Sequence, residues 1–141
     1  YPLEKFIKDK VTPWEGVRNY QARNFMMKDM KIGDEGIFYL SNAEPSAAMA
    51  LLKIVSLAKP DTLAFNPKSE YYDKASSPEK VRWYCVDVEY VATLPQSVSL
   101  EQMRNNSKLA TMRLLQRGNR LSILPLSESE YFEILTMGKY K

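Results

Sequence analysis

The chain has 141 residues, 45% of them hydrophobic, which is enough to bury one core and points to one globular domain. An excess of 20 Lys and Arg over 17 Asp and Glu gives a formal net charge of +3, which favours an anionic partner without approaching a purely electrostatic binder. With no histidine and a single cysteine, Cys85, the sequence excludes a Ser-His-Asp triad, a Cys-His pair, a histidine-ligated zinc and an internal disulfide.

In chain order, Leu3 to Lys10 reads as a short helix with Leu3, Phe6 and Ile7 on one stripe. Thr12-Pro13 ends it, because the residue before proline resists the α region. The block from Pro13 to Asn24 then starts in a loop. Asn19 is an N-cap for a helix from Tyr20 to Met30, whose buried face carries Ala22, Phe25, Met26 and Met30. Lys31 to Asp34 is a turn, Glu35 to Leu40 a strand rich in aromatic and β-branched residues, and Ser41 to Pro45 breaks it. Ala47 to Ala58 is ambiguous: its alanines, leucines and methionine lean to helix, whereas Ile54-Val55 prefers a strand.

Pro60 to Glu79 is a long polar connection holding Phe65, Tyr71 and Tyr72, either a ligand-covering segment or a loop pinned by its aromatics. Arg82 to Leu94 alternates as a strand, with Tyr84, Val86, Val88 and Tyr90 opposite Trp83, Cys85, Asp87 and Glu89. Ser99-Leu100-Glu101-Gln102 and Ser127-Glu128-Ser129-Glu130 are capping boxes, the second opening a terminal helix that buries Tyr131, Ile134 and Leu135 before Gly138. Between them Arg120 to Leu124 reads as a last strand. Short helices among strands, without βαβ alternation, predict an α+β fold round a curved, barrel-like sheet. No apolar run reaches the ~20 residues of a membrane span and the first residues do not resemble a secretory leader, so a soluble, intracellular protein, nuclear or cytoplasmic, is expected.

The chemistry offered is recognition more than catalysis. Asp29, Asp34, Asp61, Asp73 and Asp87 fall in turns, polar loops or beside cations, and read as solvated surface or caps; no carboxylate pair is marked out. Gly33-Asp34-Glu35-Gly36 lacks the lysine and helix of a phosphate loop, and Cys85 sits in an apolar strand pattern as a core residue. No metal or cofactor is expected. Lys108, Arg113, Arg117 and Arg120 form either a basic rim or a scattered solvated surface. In the block from Pro13 to Asn24, Trp14 and Tyr20 offer stacking faces, Asn19, Gln21 and Asn24 offer donors and acceptors, and Arg18 and Arg23 offer charge for a phosphate. The competing reading puts Trp14 in the core and uses Arg18 and Asn19 to anchor a turn.

Trp14-Glu15-Gly16-Val17-Arg18-Asn19-Tyr20-Gln21-Ala22-Arg23-Asn24-Phe25 closely resembles the EVE domain family. The likeness continues through Gly33-Asp34, Phe38-Tyr39, Ser41-Asn42, Phe65 to Ser69, Tyr71-Tyr72-Asp73, Trp83 to Val88, Met112 to Leu115 and Arg120 to Leu126, nearly the whole chain. It implies a PUA-like fold, a curved β-barrel flanked by short helices, and a non-catalytic domain that binds a modified base, notably modified cytosine, in DNA or RNA. By motif match Trp14, Val17, Arg18, Asn19, Tyr20, Arg23, Tyr39, Ser41, Asn42 and Trp83 would line or support the base pocket, and Ala47 to Ala58 becomes a central barrel strand.

Three departures accompany the resemblance. Family members open with a strand of the form Trp-Leu-x-Lys-Ser-Glu-Pro ahead of the position of Tyr1, so the 1–141 domain is expected to lack that first strand. Ser46-Ala47-Ala48-Met49-Ala50 replaces a glycine-bearing segment, and Leu40 replaces a histidine. Two other classes stay open: a small nucleotide-acting enzyme using Asp87 or Lys80, and a protein-interaction module with a vestigial pocket.

Overall fold

The computed structural model describes residues 3–40, 46–115 and 124–140. Among the described residues four strands form one antiparallel sheet: β1 (Val11–Pro13), β2 (Glu35–Leu40), β3 (Ala47–Ile54) and β6 (Asp87–Ser99), in the order β1-β6-β3-β2. A second ladder of two strands joins β4 (Lys59–Pro60) to β5 (Tyr84–Cys85). The helices are α1 (Leu3–Asp9), α2 (Tyr20–Lys28), α3 (Leu100–Arg104) and α4 (Glu128–Met137), with short 3₁₀ turns at Thr62–Phe65, Ser107–Leu109 and Arg113–Leu115. The result is the α+β class expected, a curled antiparallel half-barrel with a few short helices.

Ala47–Ile54 is a strand, and the reason its propensity misleads is visible in its packing. Ala50 and Ile54 enter one core cluster, with Phe6, Val17, Ala22, Met26, Phe38, Val86 and Val88. Ala48 and Leu51 enter another, with Leu94, Val98, Met103, Leu109, Met112 and Ile134. A strand buried on both faces carries no polar alternation to betray it. Small residues suit its central place between β2 and β6, and bulges at Phe38/Tyr39 and between Ala48 and Ala50 bend the sheet.

Several boundaries differ from the sequence reading: β3 ends at Ile54 and not Ala58, α2 at Lys28 and not Met30, and three differences have a clear physical cause. Val11–Pro13, expected as the end of a helix and the start of a loop, is an edge strand registered Val11 to Glu89, Thr12 to Val88 and Pro13 to Asp87. Proline is tolerated there because an edge strand leaves one side of its backbone unpaired. The single strand expected over Arg82 to Leu94 is divided at Val86: Tyr84–Cys85 pairs with β4, and Asp87 onward joins the main sheet. That second strand then runs past Pro95 to Ser99. Between Thr93, opposite Ala50, and Val98, opposite Ala48, the register slips, and the looped-out residues absorb the proline's missing N–H.

Both capping boxes form: the Ser99 hydroxyl accepts from the Gln102 amide, the Ser127 hydroxyl from the Glu130 amide, and each partner side chain reaches back. In the terminal helix Ile134 is buried and Tyr131 and Leu135 pack against the second cluster. The strand expected over Arg120 to Leu124 falls, but for Leu124, outside the described residues, as do Ser41 and Asn42. Among the described residues no helix is long and apolar enough to cross a membrane.

Candidate functional site

The block after β1 is shaped first by Gly16. Its φ of +86° lies where side chains are rarely accommodated, and a Cβ placed there would stand 2.8 Å from the Tyr71 ring. Glycine therefore lets the 13–20 segment turn beneath the 60–83 connection. The Gly16 amide donates to Asp61 Oδ2 at 2.8 Å, and Arg18 Nη1 donates to the same oxygen at 3.0 Å. Asp61 Oδ1 accepts from the Leu63 amide and opens the 3₁₀ turn at Thr62–Phe65.

Asp61 corrects the expectation of a solvated carboxylate. It is a cap, but its side chain is 0% exposed, paired with an arginine 43 residues earlier in the chain. Each carboxylate oxygen is satisfied, as burial of a charge requires. Beside it Glu15 has its carboxyl raised above the usual range, chiefly by burial and then by the Asp61 charge.

Arg18 is held from several directions. Besides Asp61, its Nη1 donates to the Val17 carbonyl at 2.9 Å, and Nε and Nη2 both donate to the Tyr71 carbonyl, at 3.0 and 2.8 Å. The planar guanidinium uses its fork to bind two chain segments at once. It also lies 5.4 Å from the centre of the Trp83 ring and 5.5 Å from that of Tyr71. Aromatics of the long connection are thus drawn against the block by a cation.

Trp83 ends that connection. Its indole N–H donates to Asp73 Oδ2 at 2.6 Å, and this bond, followed by one from the Ala75 amide, holds the Asp73 carboxyl below the usual carboxylate range. Tyr20, the first residue of α2, stacks on the Trp83 ring at 4.8 Å with 24° between planes. Arg23, one turn on, lies 4.6 Å over the Tyr20 ring and donates to the Arg82 carbonyl at 2.9 Å. The Arg82 guanidinium hydrogen-bonds the Tyr20 hydroxyl and lies 3.7 Å from Asp73. Three arginines and three aromatics therefore meet in one cluster, a composition that binds flat bases and phosphates.

Of the sequence-predicted residues, Arg18, Tyr20, Arg23 and Trp83 come together in this cluster. Asn19 borders it, but its side-chain oxygen accepts from the Gln21 and Ala22 amides and caps α2. Val17 is buried in the first core cluster, and Trp14 rests edge-on to Phe38 with centroids 6.0 Å apart, packed on the same cluster. Tyr39 packs against the other cluster. Sequence reasoning missed Asp61, Asp73 and Arg82 as parts of the assembly. Asp61 before Thr62-Leu63 carried a capping signal, but nothing local reveals a partner 43 positions away.

Other candidates are engaged elsewhere. Asp87 pairs with Lys59 at 2.8 Å, Lys108 lies 3.7 Å from Glu133, and burial, with Asp61 adding to it, pushes the Cys85 thiol up to about 11. Among the described residues no group of three or more potential metal ligands gathers. An open cleft of about 870 Å³ near Leu51, Tyr90, Tyr131 and Phe132 holds none of the predicted site residues.

This curled half-barrel with its arginine and aromatic cluster has a sequence that matches the EVE domain over residues 1–137, and the chain belongs to that family. It is 36% identical over 136 residues to human thymocyte nuclear protein 1, covering 91% of this chain and 60% of that protein. The chain spans less than two thirds of the length of the curated relatives it matches. A hypothetical protein from Leishmania major superposes with a TM-score of 0.93 at 38% identity, over 99% of this chain and 87% of that one. Human THYN1 protein, solved in complex with 5-methylcytosine containing DNA, superposes with a TM-score of 0.91 at 33% identity, over 100% of this chain and 87% of that one.

Proposed function

We propose that this chain is a non-catalytic reader of a modified base in DNA, with 5-methylcytosine as its first candidate ligand, and that it works in the nucleus. The observation that carries the reading is the Tyr20–Trp83 stack set among Arg18, Arg23 and Arg82. Its likeness to a relative solved with methylcytosine DNA supports the ligand, and the name of the thymocyte nuclear relatives supports the compartment. Stacking supplies affinity for an extruded base, the arginines meet the flanking phosphates, and Trp14 and Val17 brace the segment from beneath. Asp87 bonded to Lys59 and a thiol kept protonated by burial both favour binding over catalysis.

Fluorescence anisotropy with labelled duplex and single-stranded DNA bearing one 5-methylcytosine, the unmethylated counterparts and the matching RNAs tests this. Methylated DNA is expected to bind about fourfold more tightly or better, since a buried methyl group contributes ~0.8 kcal/mol. Equal affinity for all oligonucleotides, or none at low salt, overturns the reading. A mass change in the recovered oligonucleotide points instead to an enzyme.

A further inference from the structure

Trp83 is the largest stacking surface in the cluster, yet it is only 5% exposed. Tyr20 covers its ring at 4.8 Å and the Arg18 guanidinium stands 5.4 Å from its centre. The Arg23 guanidinium, packed on the Tyr20 ring, lies 5.9 Å from the same centre, so a base can reach the indole only if one of these groups leaves. Arg18 is tied to a buried carboxylate and to the carbonyls of Val17 and Tyr71. Removing it strands the Asp61 charge.

Tyr20 is bound differently. The residue is 44% exposed and belongs to neither core cluster; its ring meets the Arg23 and Arg82 guanidiniums, and its hydroxyl is held by the half-buried Arg82 side chain. As the first residue of α2 it has no preceding helical turn for its side chain to strike, so rotamers closed to interior helical residues are open to it. The movable layer of the cluster is the tyrosine.

Resting on the reading of the chain as a base reader, we propose that the base binds on the face of Trp83 that Tyr20 now covers, with Tyr20 a stand-in that swings out. Arg82 is the latch: it holds the hydroxyl in the closed state and is released to the incoming nucleotide in the open one. Asp73 keeps the indole plane fixed through its N–H bond while the stacking partner is exchanged. Binding then carries the cost of opening, and apparent affinity is lowered by the fraction of molecules that are closed.

The sign of one substitution separates a gate from a wall. Tyr20→Ala is compared with the wild-type chain for equilibrium binding and stopped-flow association, using labelled duplex DNA with a single 5-methylcytosine, and thermal melts report the fold. A gate predicts about three- to tenfold tighter binding and faster association, as the open fraction rises from about a tenth or a third towards one. Unchanged or weaker binding with an intact fold overturns the gate and makes Tyr20 a fixed wall. If Tyr20→Ala melts early, Tyr20→Phe decides: losing only the latch bond, it is expected to associate about twofold faster, and an unchanged or slower rate overturns the proposal. No binding by the wild-type chain overturns the reader reading itself, whereas wild-type binding with a weakened variant overturns the gate alone.

Discussion

Asp61 shows how one residue organises this site. A carboxylate with no exposure accepts from the Gly16 amide, the Leu63 amide and the Arg18 guanidinium, so it fixes the turn of the motif block and the start of the long connection together. Asp61→Ala leaves two amide donors unsatisfied and a mostly buried cation unpaired. Breaking a buried pair costs about 3–5 kcal/mol, and the partial exposure of Arg18 places this case near 3. Urea denaturation of the variant measures it; a loss under ~1 kcal/mol would show that water replaces the carboxylate readily. Trp14 teaches the complementary lesson. Half-buried, its indole rests edge-on to Phe38, because the amide of Trp14 bonds the Val86 carbonyl and continues the β1 ladder towards the core.

At the level of elements, α2 carries the motif's side chains to one place. Tyr20 and Arg23 lie one turn apart on its first face, while Ala22 and Met26 bury the other, and Asn19 terminates the helix by accepting from two free amides. Asn19→Ala is expected to cost about 1 kcal/mol in chemical denaturation, and Asn19→Asp to preserve the cap with added favour from the helix dipole. If Asn19→Ser, a neutral cap, keeps stability and loses methylated-DNA binding, the Asn19 amide also touches the ligand. The helix, both capping boxes and the 35–40 strand were legible because their signals are local. β1 was not, since three residues ending in proline form a strand only when the Asp87–Glu89 edge is present to pair with them. The site was half legible for the same reason. Arg18, Tyr20 and Arg23 stand in one motif, whereas Asp61, Asp73 and Arg82 join it by long-range pairing that leaves no periodic trace.

For the molecule as a whole, two of the three arginines of the cluster have their charge answered within the fold. The net charge is +3, and within the cluster Arg18 is answered by Asp61 and Arg82 by Asp73. Arg23 bonds uncharged oxygens of Arg82 and Asn24, which leaves its charge the least compensated of the site arginines. Under the proposed function, affinity then comes mainly from the base and only modestly from phosphates. About two or three phosphate contacts then set the salt dependence, a slope near −1.8 to −2.7 in log affinity against log salt on duplex DNA. Between about 50 and 200 mM salt, affinity for methylated duplex should fall about 12- to 40-fold, measured by anisotropy titration across the series. A slope steeper than about −6 would mean that a broad basic surface, and not the aromatic cluster, holds the DNA, and methylation would then change the affinity little.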